Sequence, residues 1–203
     1  SAATANIGRG WGLPEAQIRV LKDREAFALG DFRITPIESR HFQFPDPALR
    51  ERALANPEIS EPLVPPVAAF DYRLGKAYVL HVDHPAGRFM VVASAGYLEG
   101  ALRDFQADTI FLGLGGLGSQ SERYRHDYWR ETVLASGAKR LIPIHVDSLT
   151  GPIEGPFLGP ARIMGFMSKD AGQTLPFINR KLEQDTSLQI RTLPRYREVM
   201  LYP

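Results

Sequence analysis

The sequence between Phe89 and Val146 decides the fold through three apolar runs: Phe89-Met-Val-Val-Ala93, Thr109-Ile-Phe-Leu112 and Leu141-Ile-Pro-Ile-His-Val146. Short, continuous apolar runs rich in β-favouring residues are typical of strands buried on both faces. Helical patterns separate the runs, at residues 97–105 and 122–136. This alternation of strand and helix predicts layered α/β packing.

The pattern at residues 122–136 is the clearest helix in the chain. Arg125, Trp129 and Val133 fall on one stripe, and Gly137 follows as a C-terminal stop. The other predicted elements are a short helical N-terminus, a helix at 177–184, strands at 18–21, 32–37, 77–82, 187–192 and 198–202, and a hairpin joining 77–82 to 89–93.

Two proline-rich loops interrupt this pattern. The first covers residues 43–67 and leaves room for one short helix at 47–55, and the second covers residues 151–160. Long loops inside a compact domain are usually functional, so we expect both to shape substrate access. Without an internal repeat or linker, residues 1–203 are interpreted as a single domain, or as the larger C-terminal part of one.

Composition limits the class of protein. The 203 residues, 44% hydrophobic and 23% charged, are those of an ordinary soluble globular protein. A net charge of +1 argues against nucleic acid and anionic membranes as partners. No apolar run approaches the roughly 20 residues of a membrane span, and no targeting signal is recognisable, so localisation stays open. Because cysteine is absent, any metal must be held by histidines and carboxylates.

Two histidines lie at the ends of predicted strands. His41 closes Ile34-Thr-Pro-Ile-Glu-Ser-Arg-His41, and His145 follows Leu141-Ile-Pro-Ile144. An imidazole there is held rigidly at the rim of a sheet, where metal ligands are usually placed, although a single histidine is more often structural. His81, His84 and His126 are interpreted as solvated residues or as supports for other groups.

The order of these motifs resembles the later part of a metallo-β-lactamase-fold hydrolase. That family builds its metal site from an early His-x-His-x-Asp-His loop, a mid-chain histidine, an acidic residue after a buried strand, and a late histidine. The resemblance assigns the mid-chain ligand to His41 and the late ligand to His145. It implies an αββα four-layer sandwich and a divalent metal, zinc first, with iron and manganese as alternatives. The implied reaction is attack by metal-activated water on an ester, amide, lactone or phosphodiester of a small-molecule substrate.

The sequence departs from the family pattern in two places. Ser94 stands where the acidic residue is expected, and no G-x-S-x-G elbow surrounds it to make it a nucleophile. We expect Ser94 and Asp147 to support the metal ligands. The early loop does not occur in the sequence. The sandwich is therefore expected to be incomplete at its N-terminal side, with a further N-terminal segment of the same polypeptide, or a homo-oligomer, needed for hydrolysis.

A glycine motif supports a different function. Gly113-Leu-Gly-Gly-Leu-Gly118 is a literal G-x-G-x-x-G, which would make the chain a nucleotide-binding α/β domain. The nearest acidic residue after the next strand is Asp147, 29 positions beyond Gly118, whereas about 20 is usual. The competing interpretation is a sharp turn at the site's rim, with a left-handed residue among Gly113, Gly115, Gly116 and Gly118. A metal-free scaffold relative is the third alternative.

Overall fold

The computed structural model describes residues 1–44, 46–93, 96–145, 172–194 and 197–202, which form a mixed seven-stranded sheet with helices. The strands are β1 (Phe27–Leu29), β2 (Phe32–Ser39), β3 (Ala77–His84), β4 (Gly87–Val92), β5 (Thr109–Gly113), β6 (Arg140–Ile144) and β7 (Gln189–Ile190). The helices are α1 (Ala2–Gly10), α2 (Pro47–Leu54), α3 (Glu122–Trp129) and α4 (Thr174–Gln184). Short 3-10 turns lie at Glu15–Gln17, Ala69–Asp71 and Leu117–Ser119.

Strand direction brings the ends of four strands to one edge. Strands β1 to β4 pair in antiparallel fashion, and β4 to β7 pair in parallel. Because β2 opposes β3 and β3 opposes β4, β2 runs in the same direction as β4, β5 and β6. The carboxyl ends of these four strands therefore share one edge of the sheet, which we call the carboxyl edge. Ligands bind at such edges in open α/β sheets.

The core forms where the apolar runs predicted it. Met90 and Val92 of β4 and Ile110 and Leu112 of β5 are fully buried. Helices cover these strands with apolar side chains, and Phe177 of α4 is buried among them. Each such side chain contributes about 1.5–3 kcal/mol through burial. The α/β class predicted from residues 87–146 is confirmed.

The helix predicted at residues 122–136 begins at Glu122 with α3 and continues beyond the end of α3 at Trp129. The Ser121 hydroxyl accepts a hydrogen bond from the backbone N–H of Tyr124 at 3.2 Å, which caps the first turn. After Trp129 the chain continues as a π-helical segment, Arg130–Leu134, and Gly137 follows in the left-handed region. The predicted helix is thus confirmed, with a change of pitch in its second half.

Several predicted elements are wrong. Residues 97–105 form turns, because Gly100 has a φ of 73° and donates its N–H to Glu131 at 2.7 Å. Residues 18–21 and 198–202 are not strands, and the strand at 187–192 shrinks to β7. The short edge strand β1 was missed. In the described part of the chain, no helix has the length and apolar character needed to cross a bilayer.

Candidate metal site

The chain after β2 crosses the carboxyl edge towards β5. The Ser39 hydroxyl donates to the carbonyl of Gly96 at 3.3 Å. A Cβ atom on Gly96 would lie 3.1 Å from the Arg40 carbonyl oxygen and 3.3 Å from the Phe42 nitrogen, so residues 40–42 pass directly over this glycine. The Phe42 ring then rests on Gly116. This path carries His41 from the end of β2 to the glycine turn after β5.

His41 is held in one tautomer. Its Nδ1 lies 2.8 Å from the Phe42 carbonyl oxygen, and because a carbonyl only accepts, Nδ1 is the donor. The ring stacks on Phe42 at 4.6 Å and contacts Phe44 at 5.6 Å. Burial lowers the pKa of His41, the Phe42 hydrogen bond raises it, and the nearby charge of His145 lowers it again. The net pKa is lowered, so at neutral pH Nε2 offers a lone pair from an oriented, neutral imidazole.

His145 follows β6 in an unusual backbone conformation. Its φ is 55°, in the left-handed region, which costs an ordinary residue about 1–2 kcal/mol. A Cβ atom on Gly115 would lie 2.6 Å from the His145 carbonyl oxygen and would overlap Nδ1 of its ring. The glycine therefore gives the imidazole its space. Strained residues of this kind concentrate at functional sites.

The structure brings together the two histidines that the sequence singled out. Both follow strands whose carboxyl ends share one edge, and the glycine turn after β5 lies against the His145 ring at Gly115 and against the Phe42 ring at Gly116. Ser94 and Asp147, expected to support them, lie outside the described residues. Within the described residues, no group of three or more His, Cys, Asp or Glu side chains could hold a metal ion. The role of the two histidines as metal ligands stays a prediction, and a catalytic zinc site would need at least one further protein ligand.

The glycine turn is closed by the protein itself. Gly116 has a φ of 74°, the left-handed conformation expected for a rim turn. The spaces beside the glycines are filled, at Gly113 by the Ala93 carbonyl, at Gly115 by His145, and at Gly116 by Phe42. The cavity next to this turn measures about 20 Å³, enough for roughly one water molecule. This geometry favours the rim turn over a pyrophosphate-binding loop.

A cleft of about 1100 Å³ opens beside His41. Its wall includes polar and aromatic side chains from the segment after β2, the first proline-rich loop, the region after β4, the segment before α3, and α3 itself: Arg40, Gln43, Arg50, Tyr97, Gln120 and Tyr124. Burial raises the pKa of Tyr124, so its hydroxyl keeps its proton at neutral pH. The loop at 43–67 contributes to the cleft, as expected, whereas the loop at 151–160 lies outside the described residues.

Sequence reasoning missed most of the cleft. Tyr124 carried a signal, since it lies one helical stripe away from the buried face of α3. Arg40 is the neighbour of His41, and Arg50 lies on α2 with its Nε donating to the Phe44 carbonyl at 3.0 Å. Neither arginine belongs to a recognisable motif. The solvated role expected for His81 is wrong, because its ring is buried and Nε2 donates to the Gln106 carbonyl at 2.8 Å.

Comparisons with known proteins identify similar folds at low sequence identity. No protein-family model matches the chain, and no curated protein does. The structure of CmlA, a diiron β-hydroxylase from Streptomyces venezuelae, matches 94% of this chain and 35% of its own, with 13% identity and a TM-score of 0.50. The chain shares the α/β fold of CmlA.

Two other matched structures are described as metallo-β-lactamase proteins. YhfI from Bacillus subtilis, a metallo-β-lactamase-fold protein, matches 87% of this chain and 53% of its own, with 12% identity and a TM-score of 0.42. A proposed zinc-dependent hydrolase of the metallo-β-lactamase superfamily from Thermotoga maritima matches 66% and 52%, with 14% identity and a TM-score of 0.37. The chain spans between about a third and about a half of the length of these three proteins. The α/β class agrees with the sequence prediction, and the described residues form one mixed seven-stranded sheet with helices.

Proposed function

We propose that this chain belongs to a metal-dependent hydrolase of the metallo-β-lactamase superfamily, in which His41 and His145 bind one divalent ion. The observation that supports the proposal is that both histidines follow strands whose carboxyl ends share one edge, where the glycine turn lies against the His145 ring and against Phe42. His41 presents a neutral ring whose Nδ1 is fixed by a backbone carbonyl, which is how proteins commonly orient a metal-bound histidine. Imidazole is a ligand that zinc accepts readily, and iron and manganese are alternatives.

The metal would supply Lewis-acid activation of water. Catalytic zinc usually has three protein ligands, so the pair needs at least one further donor, which has to come from outside the described residues. Asp147, two positions after His145, is one such residue. CmlA, which shares the fold, is itself described as a diiron enzyme, and this supports a divalent metal here.

Arg40 and Arg50 line the cleft together with His41 and can bind an anionic group of a substrate, while Asp23, Glu38 and Glu99 line the cleft as well. Guanidinium groups bind carboxylate and phosphate oxygens through paired hydrogen bonds. Substrates that differ only by a terminal carboxylate would test this point. We expect R40Q to raise KM for the anionic member of each pair and to leave the neutral member unchanged.

The function is tested by turnover of the full polypeptide that carries this chain. The protein is stripped by a chelator, reloaded with Zn²⁺, Mn²⁺ or Fe²⁺, and assayed against esters, amides, lactones and phosphodiesters. We expect metal-dependent hydrolysis that falls roughly 10-fold to 100-fold or more in H41A and in H145N. H84N, in the hairpin between β3 and β4, is the control. Turnover that is indifferent to chelation, or to both histidine replacements, would contradict the proposal.

A further inference from the structure

One buried arginine has no carboxylate to balance it in the described part of the chain. Arg125 of α3 is 8% exposed, and its Nη1 donates to the carbonyls of Gln120 at 2.6 Å and Gly118 at 3.3 Å. Its Nε is buried without a hydrogen-bond partner. Burying a guanidinium in this way is costly. A residue kept at such cost has a role that an apolar side chain could not fill.

The carbonyls that Arg125 binds lie at the end of the glycine turn, on its last glycine, Gly118, and on Gln120 two residues later. The same turn is fixed at its start by the Tyr128 hydroxyl, which donates to Gly113 at 2.9 Å, and by Leu114, whose N–H donates to Ile144 at 3.0 Å. Inside the turn, the Ser119 hydroxyl donates to Gly116 at 2.7 Å. Arg125 thus holds the far end of a turn whose near end is tied to β6.

This turn touches both histidine segments. Gly115 lies against the His145 ring, and Gly116 lies against Phe42, the residue that fixes the tautomer of His41. Gln120, whose carbonyl Arg125 binds, also donates its side-chain amide to the Gln43 carbonyl at 2.9 Å. The turn is therefore a continuous set of contacts between the segment of His41 and the side chain of His145.

We infer that Arg125 is a positioning residue for the histidine pair. It fixes the glycine turn as a spacer, and the spacer sets the separation and orientation of the two imidazoles. Two glycines of the turn are thereby explained, because a side chain at Gly115 would occupy the place of the His145 ring and Gly116 needs a left-handed backbone. The inference rests on the proposed function only in that the pair binds an ion, and it is tested without catalysis.

The test uses Cu²⁺ as the probe and counts imidazoles on the ion by electron spin-echo envelope modulation. In wild type we expect two imidazoles, after subtracting the signal of an H41A/H145N double variant. In R125Q we expect one imidazole and an affinity weakened roughly 10-fold to 100-fold. The matched control is E131Q, since Glu131 is also buried next to α3 and also holds a loop, through the Gly100 N–H at 2.7 Å, and the space beside Gly100 is bounded by Arg103 and by neither His41 nor His145. E131Q should lower the melting temperature and keep both imidazoles.

The possible results separate the two claims. A wild type with fewer than two imidazoles overturns the metal pair itself. Two imidazoles and wild-type affinity in a folded R125Q overturn the positioning role while leaving the pair intact, and loss of one imidazole in E131Q as well would show that any helix damage suffices. If R125Q does not fold, R125K decides, because it keeps the charge but donates to fewer carbonyls. A smaller loss of Cu²⁺ affinity in R125K supports the inference, and unchanged affinity contradicts it.

Discussion

His41 combines burial with a free ring nitrogen. The protein partly buries the imidazole, packs it against the rings of Phe42 and Phe44, and fixes Nδ1 on the carbonyl of Phe42. Burial makes protonation of this ring unfavourable, and the charge of His145 lowers its pKa further. These two effects together keep the lone pair on Nε2 available at neutral pH.

The lowered pKa of His41 predicts acid sensitivity. In the unfolded chain the imidazole has its ordinary pKa of 6.5, and in the folded protein the pKa lies below that value. The unfolded state therefore binds the proton first, so this contribution to stability is complete above pH 6.5 and is lost as the pH falls through the folded pKa. Urea unfolding of wild type and H41N at several pH values should show a shallower acid loss in H41N. Equal slopes would contradict the prediction.

The left-handed backbone conformation of His145 lowers the stability of the fold. Its left-handed backbone suits asparagine far better than a residue with an ordinary side chain. We expect H145N to leave the free energy of unfolding unchanged or raise it by up to about 1 kcal/mol, and to abolish the shared metal site. By NMR titration, the pKa of His41 should rise in H145N because the neighbouring charge is gone. Marked destabilisation, together with an unmoved His41 pKa, would count against this description of the pair.

At the scale of elements, the buried strands could be predicted from the sequence and the connections could not. Strands β4, β5 and β6 appear as continuous apolar runs: Met90, Val92, Ile110 and Leu112 are fully buried on one face, and Phe89, Val91 and Phe111 are partly buried on the other. The helix expected at residues 97–105 fails because Gly100 takes a left-handed conformation that Glu131, far along the chain, stabilises. Such a contact between distant residues has no signature in the local pattern. The pairing of β1 with β2 likewise has no clear signature in the sequence, because only three residues of β1 take part.

The same distinction between strands and connections applies to the candidate site. The strand-end positions of His41 and His145 were predictable because each follows a predicted strand and the parallel direction of β2 and β6 brings both strand ends to one edge, whereas their role as metal ligands stays a prediction. The cleft residues Arg40, Arg50 and Tyr124 were not predictable, because side chains of separate elements, without a common spacing in the sequence, form the walls of a cleft. The glycine turn was recognised as a motif, and its role depends on what fills the space beside each glycine.

The glycine turn gives a prediction at this scale. In G115A the new methyl group would overlap the His145 ring, and overpacking of this kind costs about 1–3 kcal/mol. The control is G8A in α1, where the nearest atom to the new Cβ is the flexible Leu13 Cδ1 at 3.1 Å. Alanine in a helix should be neutral or stabilise by about 0.5–1 kcal/mol. Thermal unfolding of both variants checks the opposite signs, and a stable G115A would mean that the His145 ring does not depend on this glycine.

At the scale of the whole molecule, a mixed sheet places four strand ends at one edge, with a cleft on one side of His41 and a closed glycine turn on the other. The fold explains why residues 41 and 145 lie at the same edge of the sheet. It does not complete a metal site from the described residues, since two imidazoles are fewer than the three ligands usual for catalytic zinc. The central claim is therefore that these two histidines bind one and the same ion.

The most direct test is anomalous diffraction at the zinc edge from crystals of the chain grown with Zn²⁺. We expect one anomalous peak about 2.0–2.1 Å from Nε2 of His41 and from an imidazole nitrogen of His145. The peak should be absent in isomorphous crystals of H145N. A fully occupied zinc site that contains only one of the two histidines, or neither of them, would contradict the account.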